Sequence, residues 1–316
     1  MDRLDKEFED SIIVDNADDD AHPSTGPSTV NASALPAGMP QQLLQLNELE
    51  LAYEPETQAL WTYMRPKGRP SFTPPMLGDF EAWQSGVAAG FGEGKAPLQF
   101  LVLGSKAPGV FCYGGDLALF RELILDGNRD GLVEYGHRCC QILHRNIETL
   151  GLPILTVGLV QGAALGGGFE ALLSFDYVIA EKSATFGLPE IMFGLFPGMG
   201  AHALLSRKLG SAQADRLIVS SDTYSAQEMY DLGLVHHLAE DGEGEEACRA
   251  FLKKSVRRHS GLVAGRRAMK VAWGLELAEL YRITELWADA ALELREQDLK
   301  LMARLTRAQE KVVAQV

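Results

Sequence analysis

Cysteine is scarce in this chain, with four in 316 residues, and the four carry no pattern. Cys112, Cys139, Cys140 and Cys248 form no Cys-x-x-Cys pair, and the neighbours Cys139 and Cys140 are poorly placed to bond each other. No disulfide framework is expected, and a reducing compartment suits the chain best. Long apolar runs are missing as well. None would span a bilayer, and no basic-then-apolar leader opens the sequence, so the expected location is the cytoplasm with no membrane partner. Positive charge is also short: 29 Lys and Arg against 43 Asp and Glu leave a net charge of −14. That balance argues against nucleic acid, whose phosphates need concentrated Lys and Arg. His-Glu-x-x-His, Gly-x-Ser-x-Gly and P-loop patterns are absent. His137 and His144 lie two helical turns apart, and His236 and His237 alternate on an expected strand. No metal, no serine triad and no resident cofactor are expected.

What is present is unevenly spread. Nine acids against two bases fall between Met1 and Ser24, half of the net charge, followed by a Pro-, Ser- and Gly-rich run. Residues 1–42 therefore read as a disordered acidic tail. From Leu43 to Arg65 two alternating segments flank Glu54-Pro55-Glu56-Thr57, which predicts a hairpin. Pro74-Pro75 opens a helix towards Gly90. Leu98–Leu103 and Pro153–Val160 read as buried strands, Leu117–Leu125 and Val133–Leu150 as helices, and Asp176–Ala180 as another strand. Ser225-Ala226-Gln227-Glu228 is a capping box, with a strand over Leu234–Leu238 after it. Beyond about Glu245 the pattern is helical: Ala247–Arg258, Leu262–Trp273, and one long stretch from Leu277 towards Val313. Strands alternating with helices predict an α/β core over 43–244, and the closing run predicts a helical subdomain over 245–316.

The core is organised around Gly158-Leu159-Val160-Gln161-Gly162-Ala163-Ala164-Leu165-Gly166-Gly167-Gly168-Phe169-Glu170. A buried strand enters a glycine-rich turn where backbone approaches a ligand closely. A short helix should follow, whose first N–H groups lack internal partners and suit a negatively polarised oxygen. Glu170 follows Gly167 by three residues and Glu190 follows Glu170 by twenty. Two carboxylates among glycines and apolar residues divide acid and base roles when their surroundings separate their acidities. Alone, each is equally a structural acid.

Three loops occur in order: Gly114-Gly115-Asp116, the glycine-rich turn with Glu170, and Phe186-Gly187-Leu188-Pro189-Glu190 leading to Phe196-Pro197-Gly198-Met199-Gly200. This combination resembles the crotonase (enoyl-CoA hydratase/isomerase) superfamily over residues 45–275. Within it, Phe111-Cys112-Tyr113-Gly114-Gly115-Asp116-Leu117-Ala118-Leu119-Phe120 and Phe196-Pro197-Gly198-Met199-Gly200-Ala201 are most similar to the RpfF-type diffusible signal factor synthases. The resemblance implies a repeated ββα spiral with a C-terminal helical region used in trimerisation. It implies Glu170 and Glu190 as the catalytic pair. An oxyanion hole would be formed by the amide of Gly167 and one from Tyr113 or Gly114. Substrate contacts are implied at Leu165, Gly166, Met199, Trp287 and Leu305. Phe111-Cys112-Tyr113 departs from the small residues usual there.

The expected activity is dehydration of a 3-hydroxyacyl thioester, carried on acyl carrier protein or CoA, followed by release of a cis-2-unsaturated acid. An ordinary enoyl-CoA hydratase is the alternative, and a non-catalytic crotonase-fold protein regulating a sensor partner, such as a kinase, is the alternative of another class. A homotrimer or hexamer is expected. Lys253, Lys254, Arg257, Arg258, Arg266, Arg267 and Lys270 would meet carrier phosphates or the acidic carrier protein, or else form a solvated helix face.

Overall fold

A computed structural model describes residues 35–314. Residues 1–34, most of the expected tail, lie outside the described residues. Regular structure is present before residue 42, for a packing reason. Gln41–Leu44 forms one helical turn (α1), Leu43 is buried, and a methyl added at Gly86 would lie 2.7 Å from Leu43 Cγ.

Two antiparallel strands, β1 (Leu49–Glu54) and β2 (Ala59–Met64), form the expected hairpin. Parallel strands then extend the sheet: β3 (Phe100–Ser105), β5 (Leu155–Val160), β7 (Tyr177–Glu181) and β10 (His237–Ala239), in the order β1-β2-β3-β5-β7-β10. All six residues of β2 and of β5 are buried. Covering on both faces is why they read as continuous apolar runs. Each long strand is followed by a short one: β4 (Val110–Cys112), β6 (Ala163–Leu165) and β8 (Thr185–Gly187), joined by β9 (Thr223–Ser225) in a second, four-stranded sheet. The pairs β3/β4, β5/β6 and β7/β8 are three turns of one spiral. The repeat is geometric, because three-residue strands are too short to leave a period in the sequence.

Helices fill the outside of the spiral. α2 (Pro74–Gly90) starts at Thr73, whose side chain accepts from the Met76 amide. α3 (Leu117–Leu125) is capped by Asp116 and α4 (Arg129–Ile147) by Asn128, both supplying an acceptor to the exposed first-turn amides. α5 (Gly167–Leu172) follows the glycine-rich turn, and α6 (Ala201–Leu209), α7 (Ser211–Ser220) and α8 (Ala226–Asp231) follow the last short strands. The capping box at Ser225 and Glu228 is formed.

The C-terminal third does two different things. α9 (Gly244–Val256) and α10 (His259–Trp273) lie on the large sheet, where Cys248, Leu252 and Val263 join Trp61, Phe100, Val157 and Leu159 in one core. The expected single long helix is two, α11 (Leu277–Leu292) and α12 (Glu296–Ala314). Asp298 restarts the second by accepting from the Arg295 amide and guanidinium at 3.0 Å each. α11 packs on α4 and α12 on α3 of the same chain.

Candidate active site

The short strands β4, β6 and β8 are paired in parallel, so the loops after them meet at one edge of the spiral. There Gly114 lies against Gly167. Gly114 has φ +88°, and a methyl on it would come within 2.4 Å of the Gly167 nitrogen and 3.0 Å of the Leu165 carbonyl oxygen. Only glycine permits that approach.

The amides at this edge sort themselves by what they already bond. Tyr113 N–H donates to the Pro70 carbonyl at 2.8 Å, Gly114 N–H to Cys112 Sγ at 3.3 Å, and Asp116 N–H to the Tyr135 hydroxyl at 3.2 Å. Among the described residues, Gly115 and Gly167 have no protein acceptor for theirs. They are also neighbours, since a methyl on Gly167 would sit 3.4 Å from the Gly115 nitrogen. The expected donor pair is therefore corrected. Gly167 stays, but Tyr113 and Gly114 are committed elsewhere, and Gly115 is the free partner. Tyr135 helps hold that peptide: its hydroxyl also donates to the Phe72 carbonyl at 2.5 Å, and the Phe72 amide donates to Gly114 at 2.7 Å.

Glu170 stands one residue past the middle of α5, almost fully buried. Its Oε1 accepts from the amides of Met199 and Ala201, both at 2.9 Å. Burial pushes its pKa up to about 7, against the pull of those backbone bonds. Glu190 opens a short 3-10 turn, Pro189–Phe193, ended by Gly194 in the left-handed region. Its carboxyl lies over Gly166, where a methyl would be 2.7 Å from Glu190 Oε1, and its Oε2 is buried without a partner. Burial first, and the charge of Glu170 second, hold Glu190 well above the ordinary carboxylate range. The two acids distant in sequence thus form one interacting buried pair beside two unspent amides.

The remaining expected contacts divide. Met199 Sδ lies against Gly167, 2.7 Å from a methyl placed there. Met199 also lines a small apolar cavity of about 40 Å³ between α2, α4 and α5. Leu165 packs at Gly187. Trp287 and Leu305 do not line that cavity. Trp287 packs flat against Gly198 and edge-on to Phe120 at 5.0 Å, while Leu305 is buried on α12.

The basic cluster of the last third is at the wrong end. Lys253 pairs with Glu56 in the β1–β2 turn and Lys270 with Asp176 just before β7; both partners precede the strands whose far ends carry the site. Arg266 lies over the Tyr177 ring, 4.2 Å from its centre. Sequence reasoning missed the cations that are near. Arg65, Lys67 and Arg69 occupy the loop after β2, and Pro70 and Phe72 of that loop bond Tyr113 and Gly114. Arg69 also pairs with Asp116 at 2.6 Å. The signal was available as three cations in five residues after a strand. Among the described residues no helix is long and apolar enough to cross a membrane.

Comparison with known proteins agrees with this geometry. A family model for enoyl-CoA hydratase/isomerase matches residues 93–271, more than half of the chain. The rat mitochondrial methylglutaconyl-CoA hydratase is 32% identical over 175 residues, covering 55% of this chain and 53% of that protein. The chain spans about half the length of the curated relatives it matches first. Among solved structures, an enoyl-CoA hydratase from Bacillus halodurans superposes with a TM-score of 0.67 at 22% identity, covering 82% of this chain and all of that one (100%). Pseudomonas aeruginosa DspI superposes with a TM-score of 0.63 at 21% identity, covering 74% and 90%. Family model, spiral and paired glutamates converge: the chain belongs to the enoyl-CoA hydratase/isomerase family.

Proposed function

We propose that the chain adds or removes water across the carbon–carbon bond next to an acyl thioester. One observation carries this reading: the buried carboxyls of Glu170, held by the Met199 and Ala201 amides, and Glu190, lying over Gly166, come together beside the unspent amides of Gly115 and Gly167, and burial raises the pKa of both. A coupled buried pair lets one carboxyl serve as base while the other serves as acid. In the hydration direction, the Glu170 carboxylate takes a proton from water as its oxygen bonds the β-carbon. The electron pair moves to the thioester oxygen, where the Gly115 and Gly167 amides receive the charge, and Glu190 then protonates the α-carbon. Dehydration runs the same steps backwards. Fixed amides aimed at a developing oxyanion are worth about 10²–10³ in rate each. Arg65 and Lys67, both exposed in the loop after β2, are the cations offered to carrier phosphates.

The finer reading is dehydration of a 3-hydroxyacyl-acyl carrier protein and then hydrolysis to a free cis-2-unsaturated acid, a diffusible signal. Support for it comes from the Phe111–Phe120 and Phe196–Ala201 motifs. In the second step Glu170 takes a proton from water as its oxygen bonds the thioester carbon. The same amides hold the tetrahedral oxyanion, and Glu190 protonates the departing thiolate. A homotrimer or hexamer and a sensor partner belong to this reading.

The test sets carrier-protein and CoA thioesters side by side and separates free acid from hydrated thioester by mass spectrometry. Glu170→Gln and Glu190→Gln should each lower turnover by about 10²–10⁴ in a folded protein. Full activity in either variant overturns the mechanism. Hydrated thioester without free acid leaves an ordinary hydratase.

A further inference from the structure

Phe72 and Gly115 face each other in an isolated parallel bridge between the loop after β2 and the loop before α3. One rung of it is direct: the Phe72 amide donates to the Gly114 carbonyl at 2.7 Å. The other rung would join the Asp116 amide to the Phe72 carbonyl, and a side chain stands in it. The Tyr135 hydroxyl accepts from the Asp116 amide at 3.2 Å and donates to the Phe72 carbonyl at 2.5 Å. Burial keeps that phenol protonated, with its pKa raised well above the ordinary value. A hydroxyl suits the position because it donates one hydrogen bond while accepting another.

The inserted hydroxyl decides where Gly115 sits. The Gly114–Gly115 peptide unit is held at its oxygen by Phe72, and its N–H is one of the two unspent amides at the site. A carbonyl that accepts a hydrogen bond polarises its own peptide, so the N–H at the other end donates more strongly. The next peptide unit is held at its N–H by Tyr135, and the Asp116 carboxylate beyond it is fixed by Arg69 at 2.6 Å. The Phe120 ring closes the remaining side. A methyl on Gly115 would lie 2.6 Å from that ring, which meets the Tyr135 ring edge-on at 4.9 Å. Without the hydroxyl, the Asp116 amide is free to close directly on the Phe72 carbonyl. That closure turns the Gly115–Asp116 peptide and carries the Gly115 amide away from Gly167.

We propose that Tyr135 is a positioning residue: by standing inside the Phe72–Gly115 bridge, its hydroxyl aims the Gly115 amide at the carbonyl oxygen of the substrate. The inference rests on the acyl-thioester reading of the site. The hydroxyl is spent on two backbone groups, so it acts on the substrate only through Gly115.

Tyr135→Phe is compared with the wild type, both as the full chain, in two ways. Hydration of crotonyl-CoA gives kcat and KM. Binding of para-dimethylaminocinnamoyl-CoA reads the polarisation of the thioester carbonyl, because the conjugated dye absorbs further to the red when donors grip its oxygen. In the wild type the bound dye should be red-shifted from the free dye. In Tyr135→Phe about half of that shift should remain, since one of two donors has turned away. There kcat and kcat/KM should fall together, by about 10–10²-fold. Only bound dye carries the shift, so an unfolded fraction does not imitate its loss. Phe120→Leu keeps the hydroxyl but frees its ring; it should move the dye the same way by less, and it decides if Tyr135→Phe does not fold. A bound dye with one spectrum in wild type and variant, or a loss confined to KM or to melting temperature, overturns the proposal and leaves Tyr135 a purely structural role. Wild-type protein that neither hydrates crotonyl-CoA nor shifts the dye overturns the acyl-thioester reading itself.

Discussion

The Thr284 hydroxyl donates to the Gly198 carbonyl at 2.7 Å, one residue before the Met199 amide that holds Glu170. The same hydroxyl lies 3.1 Å from Cys140 Sγ, and Trp287 covers Gly198 from the next turn of α11. A C-terminal helix is thereby fastened to the loop that sets the acidity of a buried carboxyl.

Thr284→Val keeps the shape but leaves the Gly198 carbonyl without its donor, a loss of about 1–3 kcal/mol. If the loop relaxes, Glu170 loses amide bonds that pull its pKa down. The acid limb of the pH–rate profile should then move above 7, and Thr284→Ser should return it. A fall in melting temperature with an unmoved pH profile would leave Thr284 a purely structural role.

Gly114→Ala is expected to damage the site beyond its backbone cost. Its methyl would press on the Gly167 nitrogen at 2.4 Å, whereas Gly127, also at positive φ (+62°), has open space around it. Both alanines bear a left-handed strain of about 1–3 kcal/mol. Only Gly114→Ala should lower turnover, by about 10²–10³ as the amide pair spreads. Equal turnover in the two variants would separate the close approach from catalysis.

What the sequence made legible was local. Pro153–Val160 as a strand, the glycine turn, Pro74-Pro75 as a helix start, Ser225 as a cap, and the alternation of the first hairpin each sit within one short window. Gly115 was not legible, because which amide stays free depends on the Pro70 carbonyl reaching Tyr113 across more than forty residues of chain. The second sheet escaped for lack of length. The C-terminal cations misled for the opposite reason. They cluster in sequence, yet Lys270 spends its charge inside the fold.

Lys270 offers a stability test away from the site. Its ammonium lies 3.1 Å from Asp176, whose side chain is 2% exposed and also accepts from the Thr156 amide at 3.0 Å. Lys270→Met leaves a buried carboxylate without its counter-charge and should cost about 3–5 kcal/mol in urea unfolding. Adding Asp176→Asn should recover much of it. A single variant as stable as the parent would mean the pair contributes nothing net.

Glu170→Gln should trade activity for stability in a pH-dependent way. The folded protein holds this carboxyl at about 7 against an ordinary value of 4.5. A raised folded value means the stabilisation from the protonated acid is fully present below about 4.5 and is lost as pH rises through about 7. Above that, the parent carries an ionised carboxylate in a buried site, a penalty of roughly 3 kcal/mol by linkage. Glutamine stays neutral and its Oε1 keeps the two amides of Met199 and Ala201. The variant should therefore match the parent near pH 4 and exceed its melting temperature at pH 8, while its hydration rate falls by about 10²–10⁴. Parallel melting curves across the whole pH range would mean that Glu170 titrates in the folded protein at its ordinary value, and a base so weak would be poorly matched to taking a proton from water.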